Sequence, residues 1–217
     1  ASHLPRPRPV DPHTALAATE EYWREWMSHC RYDGGWREAV VRSLLTLKAL
    51  TYAPTGGIVA AVTTSLPEQL GGVRNWDYRF CWLRDATITL QALLYSGFEE
   101  EAAAWRKWLL RAIAGDPVQM QIMYGVAGER RLQEYVADWL PGYDGNPVRI
   151  GNAAAEQFQL DVYGEVMDAL HQARLAGLQR DDPSWALQVE LMRFVEAHWS
   201  DPDEGIWEVR GGPEQFT

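Results

Sequence analysis

Residues 76–85 have the sequence Trp-Asp-Tyr-Arg-Phe-Cys-Trp-Leu-Arg-Asp and stand at the start of an apolar helical stretch. The segment mixes aromatic rings with Arg and Asp side chains. Pyranose rings need flat apolar surface for their C–H faces and paired donors and acceptors for their hydroxyls, and this mixture supplies both. The segment therefore indicates either a sugar site or a capped helix start, in which the rings fill the core and Asp85 favours the helix dipole.

Outward from this segment, the apolar residues follow a helical period along nearly the whole chain. The pattern predicts helices over residues 11–33, 36–53, 84–95, 99–114, 152–175 and 183–199. A long loop over residues 58–81 carries many polar and aromatic groups and is a better site candidate than any helix. A second loop, 124–151, holds Pro, Gly and aromatic residues with little periodicity. Because no repeat of fixed period occurs, the pattern favours an all-α toroid with its loops at one rim over a solenoid.

Composition excludes several classes of protein. Hydrophobic residues make up 47% of the 217 residues and no apolar run reaches eighteen, so we expect a globular chain without a membrane partner. A net charge of −10 without a basic run argues against a nucleic-acid partner. The two cysteines and five histidines match no metal or redox spacing, so we expect no metal and no cofactor. Residues 1–9 lack the apolar core of a signal peptide, which favours a cytoplasmic location.

Several separated motifs occur in an order that resembles bacterial members of glycoside hydrolase family 15, which holds glucoamylases, glucodextranases and some trehalases. They are Thr-Ser-Leu-Pro-Glu at 64–68, the segment 71–86, Gln-Ile-Met-Tyr-Gly at 121–125, Trp-Leu-Pro-Gly-Tyr at 139–143, Arg-Ile-Gly-Asn at 149–152, Gln-Leu-Asp-Val-Tyr-Gly-Glu at 159–165 and Gly-Ile-Trp-Glu at 205–208. The resemblance implies a partial (α/α)6 barrel. Residues 1–35 would form a linker segment and linker helix, and residues 36–217 the N-terminal half of the catalytic barrel. A half-barrel exposes apolar edges of its helix rings, so we expect the missing C-terminal half of the barrel to cover them as a partner.

Glu208 is the candidate catalytic acid. Hydrolysis with inversion needs one carboxylic acid and one carboxylate base about 6.5–9.5 Å apart. From local sequence alone, Glu208 is either an ordinary exposed side chain or an acid whose pKa is raised by the apolar neighbours Ile206 and Trp207. The resemblance favours the acid, because in the family this residue follows Trp in the same setting. It implies a general base beyond Thr217, so no residue of this chain is assigned that role.

The resemblance also assigns substrate contacts. Arg84 and Asp85 would hydrogen-bond a terminal glucose, Tyr78 would stack on it, and Trp82 would support the pocket. The alternative is a salt-bridged helix start with core packing. Further candidates are Trp139, Gln157 and Asp161; the last two share a face of the predicted helix 152–175 with Glu165, which either lines the barrel or faces water.

Three function hypotheses follow from these observations. The first is an inverting, exo-acting α-glucoside hydrolase that acts on an α-glucosidic oligosaccharide or on trehalose. The second is a carbohydrate-binding or regulatory half-barrel that lacks a base, and the third is a helical scaffold whose aromatic loops bind protein. A glutamate-bearing motif beyond Thr217 would separate the first from the second. On the first hypothesis, we expect the 217-residue chain alone to be inactive.

Overall fold

The computed structural model describes residues 10–178, 182–208 and 212–213, and these residues fold mainly into α-helices. The described ranges contain six: α1 (Pro12–Ser28), α2 (Arg37–Ala49), α3 (Leu83–Tyr95), α4 (Glu99–Ala112), α5 (Asp161–Leu175) and α6 (Asp182–His198). The predicted all-α class, roughly the first half of an (α/α)6 barrel preceded by a linker helix, is confirmed. Residues 1–9 of the predicted linker segment lie outside the described residues.

Strands in the described ranges are two residues long and pair only two by two. They are β1 (Thr51–Tyr52) with β2 (Gly57–Ile58), β3 (Cys81–Trp82) with β4 (Met123–Tyr124), and β5 (Tyr135–Val136) with β6 (Arg149–Ile150), all antiparallel. Each pair ties two parts of the loops together. Strand β3 runs directly into α3, so its pairing with β4 fixes the end of the segment 76–85.

The main core lies where α3 packs against α4 and α5. Leu83 and Leu90 of α3 are fully buried there with Val166 of α5. Trp105 and Trp108 of α4 fill the same core. Burying a side chain of this size contributes about 1.5–3 kcal/mol, so this three-helix contact is the rigid base on which the loops sit.

The linker helix α1 docks through a second, smaller cluster. Trp26 stacks on Phe98 with ring centroids 4.0 Å apart. Its Nε1 donates to Glu101 Oε1 at 2.6 Å, and Lys48 Nζ donates to the same oxygen at 2.8 Å. Burial alone would raise the pKa of Glu101, but the bonds from Lys48 and Trp26 bring it below its ordinary value. One buried carboxylate therefore joins α1, α2 and α4.

The predicted helix over residues 152–175 is wrong in its first nine residues. Asn152 accepts a bond from Ala154 N at 3.0 Å and caps only a short 3₁₀ turn, Ala153–Glu156. Gln157 then has extended backbone (φ −77°, ψ 145°), and α5 begins at Asp161. Gln157 therefore does not lie on one helix face with Asp161 and Glu165 as predicted.

The outer face of α6 presents apolar side chains to solvent. Trp185, Met192 and Trp199 are exposed there and line an open groove of about 470 Å³.

None of the helices in the described ranges combines the length and the apolar character that a bilayer span requires.

Candidate active site

The candidate site is built around Arg84, the second residue of α3. Its Nη1 donates to Gln159 Oε1 and to Asp161 Oδ2, both at 3.1 Å. Its Nη2 donates to the Ile206 carbonyl at 3.2 Å and lies 3.3 Å from Glu208 Oε1. The Arg84 side chain is only 21% exposed. A single guanidinium thus connects three segments that are far apart in the sequence, as its fixed fork of donors allows.

Glu208 receives two donors on the same oxygen. Trp82, held at the end of β3, donates its Nε1 proton to Glu208 Oε1 at 2.7 Å, and Arg84 Nη2 reaches the same atom. An indole and a guanidinium can only donate, so Oε1 must act as an acceptor. When the carboxyl carries a proton, that proton is therefore on Oε2, the oxygen that these two residues leave open.

The environment of Glu208 favours its protonated form. Burial raises its pKa and the nearby Asp85 carboxylate raises it further, while the bonds from Trp82 and Arg84 oppose the shift. The net direction is upward, which keeps a proton available closer to neutral pH. Its backbone has a positive φ of 53°, a left-handed conformation that is strained for a glutamate. Such strain is concentrated at functional sites.

Glu208 ends a turn that is attached to the start of α5. Phe158 and Glu204 exchange two bonds, from Phe158 N to Glu204 Oε2 at 2.9 Å and from Glu204 N to the Phe158 carbonyl at 3.0 Å. Asp203 Oδ2 accepts from Leu160 N at 2.9 Å. We call residues 203–208 the acid turn.

A cavity of about 470 Å³ opens beside the acid turn. Its aromatic walls are Trp76, Tyr78 and Trp207, and its remaining lining residues are Glu68, Val73, Arg74, Asn152, Ala154 and Glu208. The Tyr78 and Trp82 rings lie 6.1 Å apart. Burial raises the pKa of Tyr78, and the Glu68 and Glu208 carboxylates raise it further. The cavity therefore offers ring faces, hydrogen-bonding groups and a neutral phenol within reach of Glu208.

Asp85 lies on the other side of Arg84. The two residues line a second cavity of about 350 Å³, with Leu50 and Ile58 among its walls. Asp85 is exposed to solvent, but the protein packed around it raises the pKa of its carboxyl, and Arg84 opposes that shift. Tyr78 and Glu208 thus line one cavity and Asp85 another, with Arg84 between them.

The remaining sequence candidates lie at different distances from this cluster. Asp161 is bonded to Arg84, and Gln157 is linked to it indirectly, because Gln159 Nε2 donates to Gln157 Oε1 at 3.2 Å. Trp139 is 71% exposed, stacks on Tyr135 and lines neither cavity.

Two members of the cluster were missed by the sequence analysis. Gln159 is 1% exposed and Asp203 is fully buried. Gln159 stands in the quoted motif 159–165, two residues before Asp161, and its polarity between Phe158 and Leu160 was the available signal. Asp203 had no local signal. In the described ranges, no group of three or more His, Cys, Asp or Glu side chains is arranged to hold a metal ion.

Comparison with known proteins identifies the family. Residues 34–217 match the model of glycosyl hydrolases family 15. The chain is 44% identical over 204 residues to the trehalase of Mycolicibacterium smegmatis, an alignment that covers 92% of this chain and 30% of that protein. It is 39% identical over 216 residues to the trehalase of Thermoplasma acidophilum, covering 99% of this chain and 37% of that protein. The chain thus spans about a third of the length of these curated relatives. No solved structure matches it. Because the family model covers residues 34–217, the chain belongs to glycoside hydrolase family 15.

Proposed function

We propose that the protein carrying this chain is a glycosidase that hydrolyses α-glucosidic bonds, with trehalose as its preferred substrate and Glu208 as the general acid. The observation that carries the proposal is the state of the Glu208 carboxyl. Trp82 and Arg84 fix Oε1, and burial raises the pKa of the group. A proton on this carboxyl is therefore confined to Oε2, beside a cavity with aromatic walls.

In this proposal, Glu208 Oε2 protonates the glycosidic oxygen as the bond to the anomeric carbon breaks. Tyr78 stacks on a sugar ring in the cavity beside the acid turn, while Arg84 and Asp85 bind sugar hydroxyls from the second cavity. Trp82 orients the acid, Asp161 holds the Arg84 guanidinium, and Trp139 offers an exposed ring outside the cavity. A carboxylate base beyond Thr217 activates the water that attacks from the opposite face. We further propose that the enzyme removes a terminal glucose, that cleavage inverts the configuration of the anomeric carbon, and that the reaction needs no metal or cofactor.

The choice of trehalose over longer α-glucans rests on the relatives. Those named above are trehalases, and their alignments cover 92–99% of this chain. Glucoamylase-type cleavage of α-glucans remains the alternative within the same chemistry.

A second candidate is a carbohydrate-binding or regulatory half-barrel. The observation that favours it is that Glu208 is held in place, whereas no carboxylate of the described residues is assigned as the general base. In that case, the cavity would bind glucose units without turnover.

Glucose release by the full-length protein tests the proposal, with trehalose, maltose and isomaltose as parallel substrates. We expect turnover of trehalose above the other two, and NMR detection of one β-glucose and one α-glucose for each trehalose cleaved. Two α-glucose molecules would refute inversion. Binding of trehalose without glucose release would support the half-barrel instead.

A further inference from the structure

A fully buried carboxylate stands outside the chemistry described so far. Asp203 Oδ2 accepts a hydrogen bond from Leu160 N, and its Oδ1 accepts one from Gly205 N, both at 2.9 Å. Burying a carboxylate is unfavourable unless hydrogen bonds replace its water. The two oxygens of Asp203 thus use main-chain donors from two separate segments.

The two segments are the ones that meet at the candidate site. Leu160 immediately precedes Asp161, the carboxylate that holds Arg84 Nη1. Gly205 lies three residues before Glu208, which receives Arg84 Nη2 and Trp82 Nε1. Together with the bonds between Phe158 and Glu204, Asp203 therefore fixes the acid turn against the start of α5.

A local turn role does not account for this arrangement. An Asp that only stabilises its own turn needs the bond to the residue two positions ahead, which here is the bond from Gly205 N to Oδ1. The bond from Leu160 N to Oδ2 spans 43 residues and has no function within the turn. Both oxygens must accept at once, which a carboxylate does and an amide does not.

We infer that Asp203 is a positioning residue for the general acid: it holds the acid turn so that the Glu208 carboxyl stays against Trp82 and Arg84. The inference rests on the proposed function. Asp203 does not line the cavity, so its effect on turnover passes through Glu208.

The test uses the full-length protein and the variant Asp203→Asn. The Asn side chain keeps the shape but turns an N–H₂ group towards one main-chain N–H, so one anchor is lost. A displacement near 1 Å costs on the order of 10²-fold in rate, so we expect a fall of that size in kcat on trehalose with little change in KM. α-Glucosyl fluoride needs little protonation of its leaving group, so its turnover should fall much less.

Glu101→Gln is the matched control for general destabilisation, because Glu101 is also a buried carboxylate but joins α1, α2 and α4. We expect it to lower the unfolding temperature while turnover at 25 °C and the ratio between the two substrates stay unchanged. If Asp203→Asn does not fold, Glu204→Ala removes the neighbouring anchor to Phe158 and should lower trehalose turnover selectively.

The outcomes separate the two proposals. Equal losses on trehalose and α-glucosyl fluoride in the anchor variants would assign Asp203 a structural role only and overturn the inference. Full turnover by Glu208→Gln would instead overturn the proposed function, and the positioning role would fail with it. Loss of trehalose turnover in Glu208→Gln with wild-type turnover in Asp203→Asn would refute the inference alone.

Discussion

Replacing Glu208 by Gln in the full-length protein should separate proton transfer from sugar binding. The amide carbonyl can still accept from Trp82 Nε1 and Arg84 Nη2, which now reach Glu208 Oε1 at 2.7 and 3.3 Å. The amide nitrogen takes the place of Oε2, and its protons are not acidic enough to be transferred to the glycosidic oxygen. We therefore expect trehalose binding close to wild type and a large loss of kcat.

The expected loss of kcat follows from the role of Glu208 as the general acid. General acid catalysis contributes about 10²–10⁴-fold, which corresponds to roughly 2.7–5.5 kcal/mol of activation free energy. We expect the upper half of this range for trehalose, because a sugar hydroxyl is a poor leaving group without a proton. Turnover of α-glucosyl fluoride should fall by less than about tenfold, since fluoride leaves without general acid assistance.

Steady-state glucose release gives kcat and KM for both substrates, and calorimetric titration with trehalose gives binding. Arg84→Ala is the contrasting variant, because it removes the hydrogen bonds of the guanidinium and should weaken binding and turnover together. Trehalose turnover by Glu208→Gln within about tenfold of wild type would place the acid elsewhere. Equal losses on trehalose and the fluoride would show that the substitution had damaged the fold.

Three further outcomes are expected. Trp82→Phe removes a donor that favours ionised Glu208, so the pKa of Glu208 should rise further and the alkaline limb of the kcat profile should move to higher pH; a move to lower pH would contradict this. Glu101→Gln should lower the unfolding free energy by about 3 kcal/mol at pH 7 in denaturant titrations, because it leaves the Lys48 ammonium unpaired in a largely buried site. Since the pKa of Glu101 is lowered on folding, this difference should shrink as the pH falls through the folded value, and a constant difference would refute the ion-pair explanation. The 217-residue chain alone should release no glucose from trehalose at an enzymatic rate, whereas activity equal to that of the full-length protein would place the base within this chain.

Local signals were enough to predict three of the six described helices, α3, α4 and α6, to within two residues at both ends. The predicted helices over 11–33 and 36–53 run too far, because α1 ends at Ser28 and α2 ends at Ala49, before the short strand Thr51–Tyr52. The apolar period and Gly97 separate α3 from α4, and both ends agree with the structure to within two residues. The start of α5 could not be found in this way. Asn152 and the alanines after it have the pattern of a helix start, but Phe158 and Leu160 bond to residues 203–204, more than forty positions later. Hydrogen bonds to residues so far along the chain do not change the spacing of apolar residues, so the sequence pattern does not reveal them.

In the candidate site, too, residues with a local sequence signal were predicted and a residue held by long-range bonds was not. Arg84 and Glu208 were named from motifs, and the structure brings them into contact. Asp203 could not be named, because an Asp among Ser, Asp, Pro and Glu is typical of an exposed loop. Its burial follows only from the position of Leu160 N, which depends on how α5 packs.

The left-handed backbone of Glu208 has a consequence for protein engineering. Gly, Asn and Asp adopt that conformation more readily than Glu, and the partly buried carboxyl adds a desolvation cost to the strain. Stability and turnover therefore make opposite demands on position 208. A library screened for thermal resistance alone should lose glutamate at this position, whereas one screened for glucose release should keep it, and the residue recovered in each would report which property had been selected.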